Sequence, residues 1–393
     1  MSESGKRALR RKSGAAAALL VAFSAAPVFS QSNPPGEFLT ARPGYRYEFP
    51  RDHASHPGYK TEWWYYSGHL KAETGERFGF QLTFFRSGLR PPAQPGHSGA
   101  ARPESRWAVR DLFFAHFAVS DYGRKSFHFD ERMSRGSLGA AGAETKRYRV
   151  WVGDWQAEAV KQKEGAAHRL KAQSRKYAID LTAQPAKPPV IHGLDGTSRK
   201  GSGKSQASHY YSLTRLGVRG KLRVTEGGRQ RELAVTGSAW MDHEFGSSQL
   251  GKDQVGWDWF SFQLENGSEV MIYLMRRKDG TADPFSSGTW IDRDGKAVHL
   301  DRKSFRVEVL DRWKSRKSGA NYPIRWRVSI PSRRAVFRVE PIFSGQELVT
   351  RKTTKVTYWE GSVRIRGELE GKPITGMGYV EMIGYAGPFK KKI

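Results

Sequence analysis

A chain of 393 residues is long enough for two domains, and 38% hydrophobic residues with 12 Trp can fill sizeable cores. It contains no Cys, which excludes a disulfide framework, a thiolate metal site and the acylated cysteine of a lipoprotein. The formal net charge is +27, but the basic residues are scattered, so nucleic acid fits poorly as a partner and anionic lipid headgroups fit better, with a general solubility effect as the bland alternative.

The chain opens on basic residues (Lys6, Arg7, Arg10, Arg11, Lys12), an apolar run Ala15–Ala26 and small residues around Val28-Phe29-Ser30. This pattern predicts a signal peptide, residues 1–30, cleaved after Ser30, and a periplasmic or secreted mature protein. The alternative is an uncleaved anchor, although the run is short for a bilayer. Arg10-Arg11 leaves the general secretory and twin-arginine routes both open. Residues 31–50 are interrupted by Pro and Gly and read as an extended leader.

TEWWYYSGHL, Thr61–Leu70, follows, and it has a partner in GWDWFSFQL, Gly256–Leu264. Pairing Trp63 with Trp257 places Tyr65 on Trp259, Ser67 on Ser261 and Leu70 on Leu264. Each stretch turns at an acidic-polar-Gly segment (Glu73-Thr74-Gly75; Glu265-Asn266-Gly267) and returns as an apolar strand ending in Arg86 or Arg276. One hairpin type therefore opens two related halves. So many large aromatics on strands predict walls of an apolar cavity as much as a filled core.

Residues 87–105 form a Pro/Gly loop. Trp107–Asp121 reads as a strand buried on both sides, because Phe113, Ala115 and Phe117 share one face and Phe114, His116 and Ala118 the other. Strands are predicted over Arg147–Trp155, Arg169–Leu181 and Tyr210–Leu216, with a mobile stretch at 184–206. The second half alternates in the same way from Leu233 to Tyr385. Almost no segment shows a helical apolar period, so the fold is all-β, barrels or sandwiches. The halves divide between about Arg219 and Arg231.

GSGKS, Gly201–Ser205, lacks the leading Gly of a phosphate loop, since Ser198 stands there, and a strand follows it rather than a helix. No GxSxG elbow occurs. SAWMDHEFGSS, Ser238–Ser248, is the densest polar cluster in an apolar context. On a strand Trp240, Asp242 and Glu244 share a face and His243 points away, so the three polar side chains cannot chelate one metal without a bulge. A buried Asp242 facing aromatics has a raised pKa and suits a general acid; a satisfied structural network is the alternative. Asp258, between Trp257 and Trp259, and Glu62 and His116, beside aromatics, carry the same two readings.

TEWWYYSGHL, FFAHFAVSD, KPPVIHGLDG with SHYYSLTRL, AWMDHEFG, GWDWFSFQL, SGANYPIRWRVSIP and GYVEMIGYAG together resemble the lipocalin-like family of carotenoid 1,2-hydratase (hydroxyneurosporene synthase). That family includes AttH-type proteins encoded beside ABC transporters. The resemblance spans about Gly58–Gly387. It implies two lipocalin-like antiparallel β domains, 31–225 and 226–393, packed together around a ligand cleft, with no cofactor and no metal. It places Trp240, Asp242, His243, Trp257 and Asp258 in the region that matters for hydratase activity, although Trp or Phe stands where Tyr is expected between Trp257 and Phe260.

The resulting expectations are catalytic roles for Asp242, His243 and Asp258. Glu62, Trp63, Trp64, Tyr65, His116, Trp240, Glu244, Trp257 and Trp259 are expected to bind the ligand. Three functions remain open. The first is an exported carrier of an apolar lipid, isoprenoid or carotenoid, associated with an ABC transporter permease. The second is a hydratase that adds water to a terminal alkene by acid catalysis. The third is a structural envelope protein.

Overall fold

The computed structural model describes residues 36–92, 109–163, 165–248 and 250–389. The predicted export segment and residues 93–108, with Trp107, lie outside them.

Alternation builds the first half. In β1 (Thr61–Ala72) Trp64, Tyr66 and Leu70 enter one core, while Trp63 and Tyr65 face the opposite way. A four-residue connection with Gly75 at φ +90° returns the chain as β2 (Arg77–Gly88), in register Trp63 to Phe85. Strands β3 (Asp111–Asp121) and β4 (Ser126–Ser134) complete a meander. The half continues through β5 (Ala141–Ala143), β6 (Arg149–Val152), β7 (Trp155–Gln162), β8 (Gly165–Gln173) and β9 (Tyr177–Pro185). It ends with β10 (Val190–Ile191), β11 (Ser198–Arg199), β12 (Ala207–Glu226) and β13 (Arg229–Ser248).

The second half comprises β14 (Gln254–Leu264), β15 (Glu269–Arg277), β16 (Ser287–Ile291), β17 (Ala297–Leu300) and β18 (Arg306–Lys314). These are followed by β19 (Asn321–Ile330), β20 (Ala335–Pro341), β21 (Glu347–Val349), β22 (Thr357–Leu369) and β23 (Lys372–Ile383). The first sheet runs β4-β3-β2-β1-β13-β12-β9-β8-β7-β6-β5 and the second β17-β16-β15-β14-β23-β22-β20-β19-β18. In both, a four-stranded meander joins the half's last strand through its own first strand. The repeat read from the two hairpins therefore extends to the topology of each half.

Both sheets curl. In the first, β6 packs on β2, β3 and β4, and Phe117 meets Trp155 edge-on at 5.8 Å. In the second, Phe260 meets Trp326 at 5.5 Å and Phe262 meets Phe337 at 6.2 Å. Each curled sheet encloses its own core, and the outward faces of β1, β13, β14 and β15 press a third apolar layer between them. Among the described residues helix is confined to single 3-10 turns at Arg51–His53, Ser137–Gly139 and Pro331–Arg333.

Two expectations are corrected here. The division near 219–231 falls on the tip of the long β12–β13 hairpin, where Gly227 and Gly228 both take positive φ (54° and 79°). These glycines make a tight turn rather than a linker, so β13 stays in the first sheet and the change of sheet follows Ser248. The stretch 184–206 is anchored. Val190 and Ile191 bridge to β12, and His192 contacts Ser212 (2.6 Å) and Thr289 (2.8 Å), one from each half.

Lys187 is part of the same anchor. Its Nζ reaches the fully buried Glu269 at 2.7 Å and donates to the carbonyls of Gly267 and Asp292, while Arg215 holds the other Glu269 oxygen at 2.6 Å. Without Lys187 the buried Glu269 carboxylate keeps only Arg215, and the Gly267 and Asp292 carbonyls lose their donor. Lys187→Met is expected to cost about 3 kcal/mol in urea unfolding; a loss below about 1 kcal/mol, the scale of an exposed pair, would refute the link.

Candidate active site

The layer between the sheets is not completely filled. A cavity of about 130 Å³ lies there, walled by Trp63, Tyr65, Tyr210, Trp257, Trp259 and Tyr273, with Asp242, Glu244, Glu360 and Glu381 among its polar residues. The strand registers explain why the acids converge. Tyr65 sits opposite Asp242 across β1–β13, and the matching Trp259 sits opposite Glu381 across β14–β23. Asp242 in turn faces Ser212, and Glu381 faces Glu360. Each half thus delivers one carboxyl at the corresponding point of its last strand.

Asp242 accepts hydrogen bonds from the Tyr210 hydroxyl (2.9 Å), Trp240 Nε1 (2.6 Å) and the Ser212 hydroxyl. Trp259 Nε1 donates to the same Tyr210 oxygen at 3.0 Å, linking the halves. Burial pushes the Asp242 carboxyl up to about 7 against the pull of these donors, with the Glu244 charge adding to the rise. Glu244 accepts from Ser208 and pairs with Lys200 at 3.3 Å. The Lys200 ammonium is itself buried, 3.9 Å above the Tyr273 ring and 4.9 Å from that of Tyr210. Glu381 accepts from Trp257 Nε1 at 2.9 Å, and burial raises its carboxyl as well.

Of the residues singled out from sequence, Glu62, Trp63, Tyr65, His116, Asp242, Glu244, Trp257 and Trp259 line this cavity. His116 spans the halves: Nδ1 meets the Tyr358 hydroxyl at 2.7 Å and Nε2 meets Thr353 Oγ1 at 2.8 Å. Burial lowers its pKa to about 4, so it is neutral at pH 7. Trp240 does not line the cavity but orients Asp242. Trp64, His243 and Asp258 lie away from it. Trp64 is in the first core and stacks on His243, as its even position on β1 requires. Asp258 turns from the cavity to Arg276 Nε and the Tyr385 hydroxyl, both at 3.0 Å.

His243 belongs to a network around Glu62. That carboxylate accepts from His243 Nε2 (2.9 Å), His56 Nδ1 (2.9 Å), Arg86 Nε (3.0 Å), the Ser55 hydroxyl (2.7 Å) and the His56 amide. Burial alone would raise its pKa; these donors and the Arg86 charge hold it well below the usual carboxylate range. His56, Glu62 and His243 are close enough to share a metal ion. The Arg86 guanidinium already supplies the cation and the donors already occupy both oxygens, so the arrangement is a satisfied network.

Sequence reasoning missed Lys200, Tyr210, Tyr273, Glu360 and Glu381. A signal existed for the two glutamates. Alternation sets Glu360 between Trp359 and Gly361 and Glu381 between Val380 and Met382, the context that drew attention to Asp242.

Two curled antiparallel β sheets with an acid-bearing aromatic cavity between them define a lipocalin-like fold. The chain belongs to the AttH-like family, whose sequence profile matches residues 40–385. The structure is similar to that of an AttH-type protein from Nitrosomonas europaea, with 30% identity, a TM-score of 0.76 and coverage of 88% of this chain and 100% of that one. Kievitone hydratase from Nectria haematococca shares the fold at 16% identity, with a TM-score of 0.65 over 89% of this chain and 96% of that one. In sequence the chain is 21% identical to kievitone hydratase from Fusarium solani subsp. phaseoli, over 69% of this chain and 74% of that protein. It is 22% identical to the dehydratase asqC of Emericella nidulans, over 55% of this chain and 60% of that protein.

Proposed function

We propose that the protein is a hydro-lyase that adds water to, or removes it from, a carbon–carbon double bond in a largely apolar substrate. The observation that carries this is the pair of burial-raised carboxyls, Asp242 and Glu381, held by indole donors in an aromatic cavity. Hydration of an isolated alkene needs a proton donor and produces a carbocation. A positioned acid contributes about 10²–10⁴ in rate. The faces of Trp63, Tyr65, Trp257 and Trp259 can each stabilise a cation by very roughly 0.5–2 kcal/mol. The same groups run the reverse reaction, and the relatives named hydratase and dehydratase fit either direction.

At about 130 Å³ the cavity is smaller than the roughly 300–1,000 Å³ of a drug-sized pocket. It suits the reacting end of a substrate rather than a whole polyene. Apolar contact then contributes about 0.8 kcal/mol per buried CH₂.

The test uses terminal isoprenoid alkenes and their tertiary alcohols in deuterium oxide enriched in oxygen-18. The expected product carries one new carbon-bound deuterium and one labelled oxygen. Saturable quenching of Trp emission by these compounds with no label incorporated would instead establish a carrier.

A further inference from the structure

The three raised carboxyls of the cavity are supplied with donors very unequally. Asp242 accepts three hydrogen bonds and Glu381 one. Glu360 Oε1 and the nearby Tyr65 hydroxyl are both buried, interact with each other, and make no well-formed hydrogen bond. Among the described residues no Lys, Arg or His forms an ion pair with Glu360 or Glu381; the cations of the cavity, Lys200 and Arg86, are taken by Glu244 and by Glu62 with Asp111. Glu360 and Glu381 are direct register partners across β22–β23, and both side chains face the cavity. Facing residues of an antiparallel pair have Cβ atoms about 4.5–5.5 Å apart. Two charges at that spacing, walled by indoles and phenols and facing Asp242 and Glu244 on β13, cannot both persist.

We propose that Glu360 and Glu381 hold a single proton between them, resident on Glu360, and that this pair is the proton donor and acceptor of the reaction. The inference rests on the hydro-lyase reading above. In the forward direction the Glu360 O–H bond breaks and the alkene π pair forms the new C–H bond, leaving a carbocation beside two carboxylates. A water lone pair forms the C–O bond, and the proton shed by that water passes to Glu381. The pair again holds one proton, so no group outside it is consumed. Above pH 7 Asp242, whose carboxyl burial pushes up to about 7 despite its three donors, is largely ionised and contributes negative charge from the facing sheet. Because one pair gives and takes the proton, addition occurs on one face of the double bond.

Infrared spectroscopy at pH 8 tests the shared proton without any substrate. Wild type is expected to show the carbonyl stretch of a buried protonated carboxyl. Asp242→Asn and Glu381→Gln should retain it, and Glu360→Gln should lose it. With a turned-over alkene, Glu360→Gln should lower kcat by at least about 10²-fold, with KM within a few-fold. Glu381→Gln should slow turnover while preserving the band, which guards against a folding defect in one variant. Persistence of the band in Glu360→Gln, wild-type turnover in that variant, or addition to opposite faces would each overturn the proposal. A wild type that shows the band, binds alkenes and turns none over would overturn the hydro-lyase reading and the catalytic role, while supporting the shared proton.

Discussion

Asp242→Asn is expected to lower kcat/KM for alkene hydration by about 10²–10³-fold, the usual loss when a charge aimed at a transition state is removed. The side chain is fully enclosed, and its carboxylate is fixed by donors from β12 and by Trp240 on its own strand. Asn keeps the volume and one acceptor oxygen for Ser212 and Trp240, and its amide can donate to the Tyr210 hydroxyl. The fold should therefore survive, which a urea midpoint close to that of wild type would show. What the variant loses is negative charge facing the site where positive charge develops. Binding of the apolar substrate depends on the aromatic wall and should change little, so the defect belongs in kcat. Turnover within about threefold of wild type would remove Asp242 from the chemistry. Unfolding of the variant, together with no detectable ligand binding by wild type, would leave Asp242 as part of a structural network.

The residues that carry periodicity made the fold legible. Trp63 and Trp257 were aligned by their neighbours alone, and both face the cavity from the first strand of their half. The two-sided burial of β3 followed from Phe113 through Ala118. The face shared by Trp240, Asp242 and Glu244, with His243 opposite, followed from the two-residue period of a strand. Aromatic character alone groups Trp64 with Trp63, yet the same alternation places it in the first core. The rest depended on contacts that no local pattern encodes. Lys200 sits in a Gly- and Lys-rich stretch that reads as a solvated loop, and only Glu244 and two tyrosine rings from distant strands bring it inside. His116 meets Tyr358 and Thr353 more than 200 residues away in sequence. The opposition of Glu360 and Glu381 depends on the register of a hairpin whose turn sits at Glu370 and Gly371, and on which face of that hairpin packs against the other half.

Glu62→Gln is expected to be the most damaging single substitution for stability, at about 3–5 kcal/mol, the cost of breaking a buried pair. Glu62 is 1% exposed, and its two oxygens gather the His243 and His56 rings, the Arg86 guanidinium, the Ser55 hydroxyl and a backbone amide. Gln offers one acceptor oxygen in place of two and turns an N–H towards groups that donate to Glu62, of which the Arg86 guanidinium and the His56 amide cannot accept. It also leaves Arg86 buried with its charge met only at Asp111, a partner a quarter exposed. The control is Asp111→Asn, where solvent screens the loss and less than about 1 kcal/mol is expected. The pH dependence separates this network from the cavity acids. Glu62 titrates below its unfolded value of about 4.3, so its contribution is present above that pH and is lost as pH falls through the folded value. Asp242 has the opposite sign: its folded value near 7 exceeds an unfolded value of about 3.9, so its contribution is full below pH 4 and is lost as pH rises towards 7. Urea unfolding from pH 3 to 8 should show both limbs in wild type. The acid limb should flatten in Glu62→Gln and the neutral limb in Asp242→Asn. A Glu62→Gln variant that costs less than about 1 kcal/mol at pH 7 and keeps the wild-type acid limb would show that Glu62 is not the hub of this network.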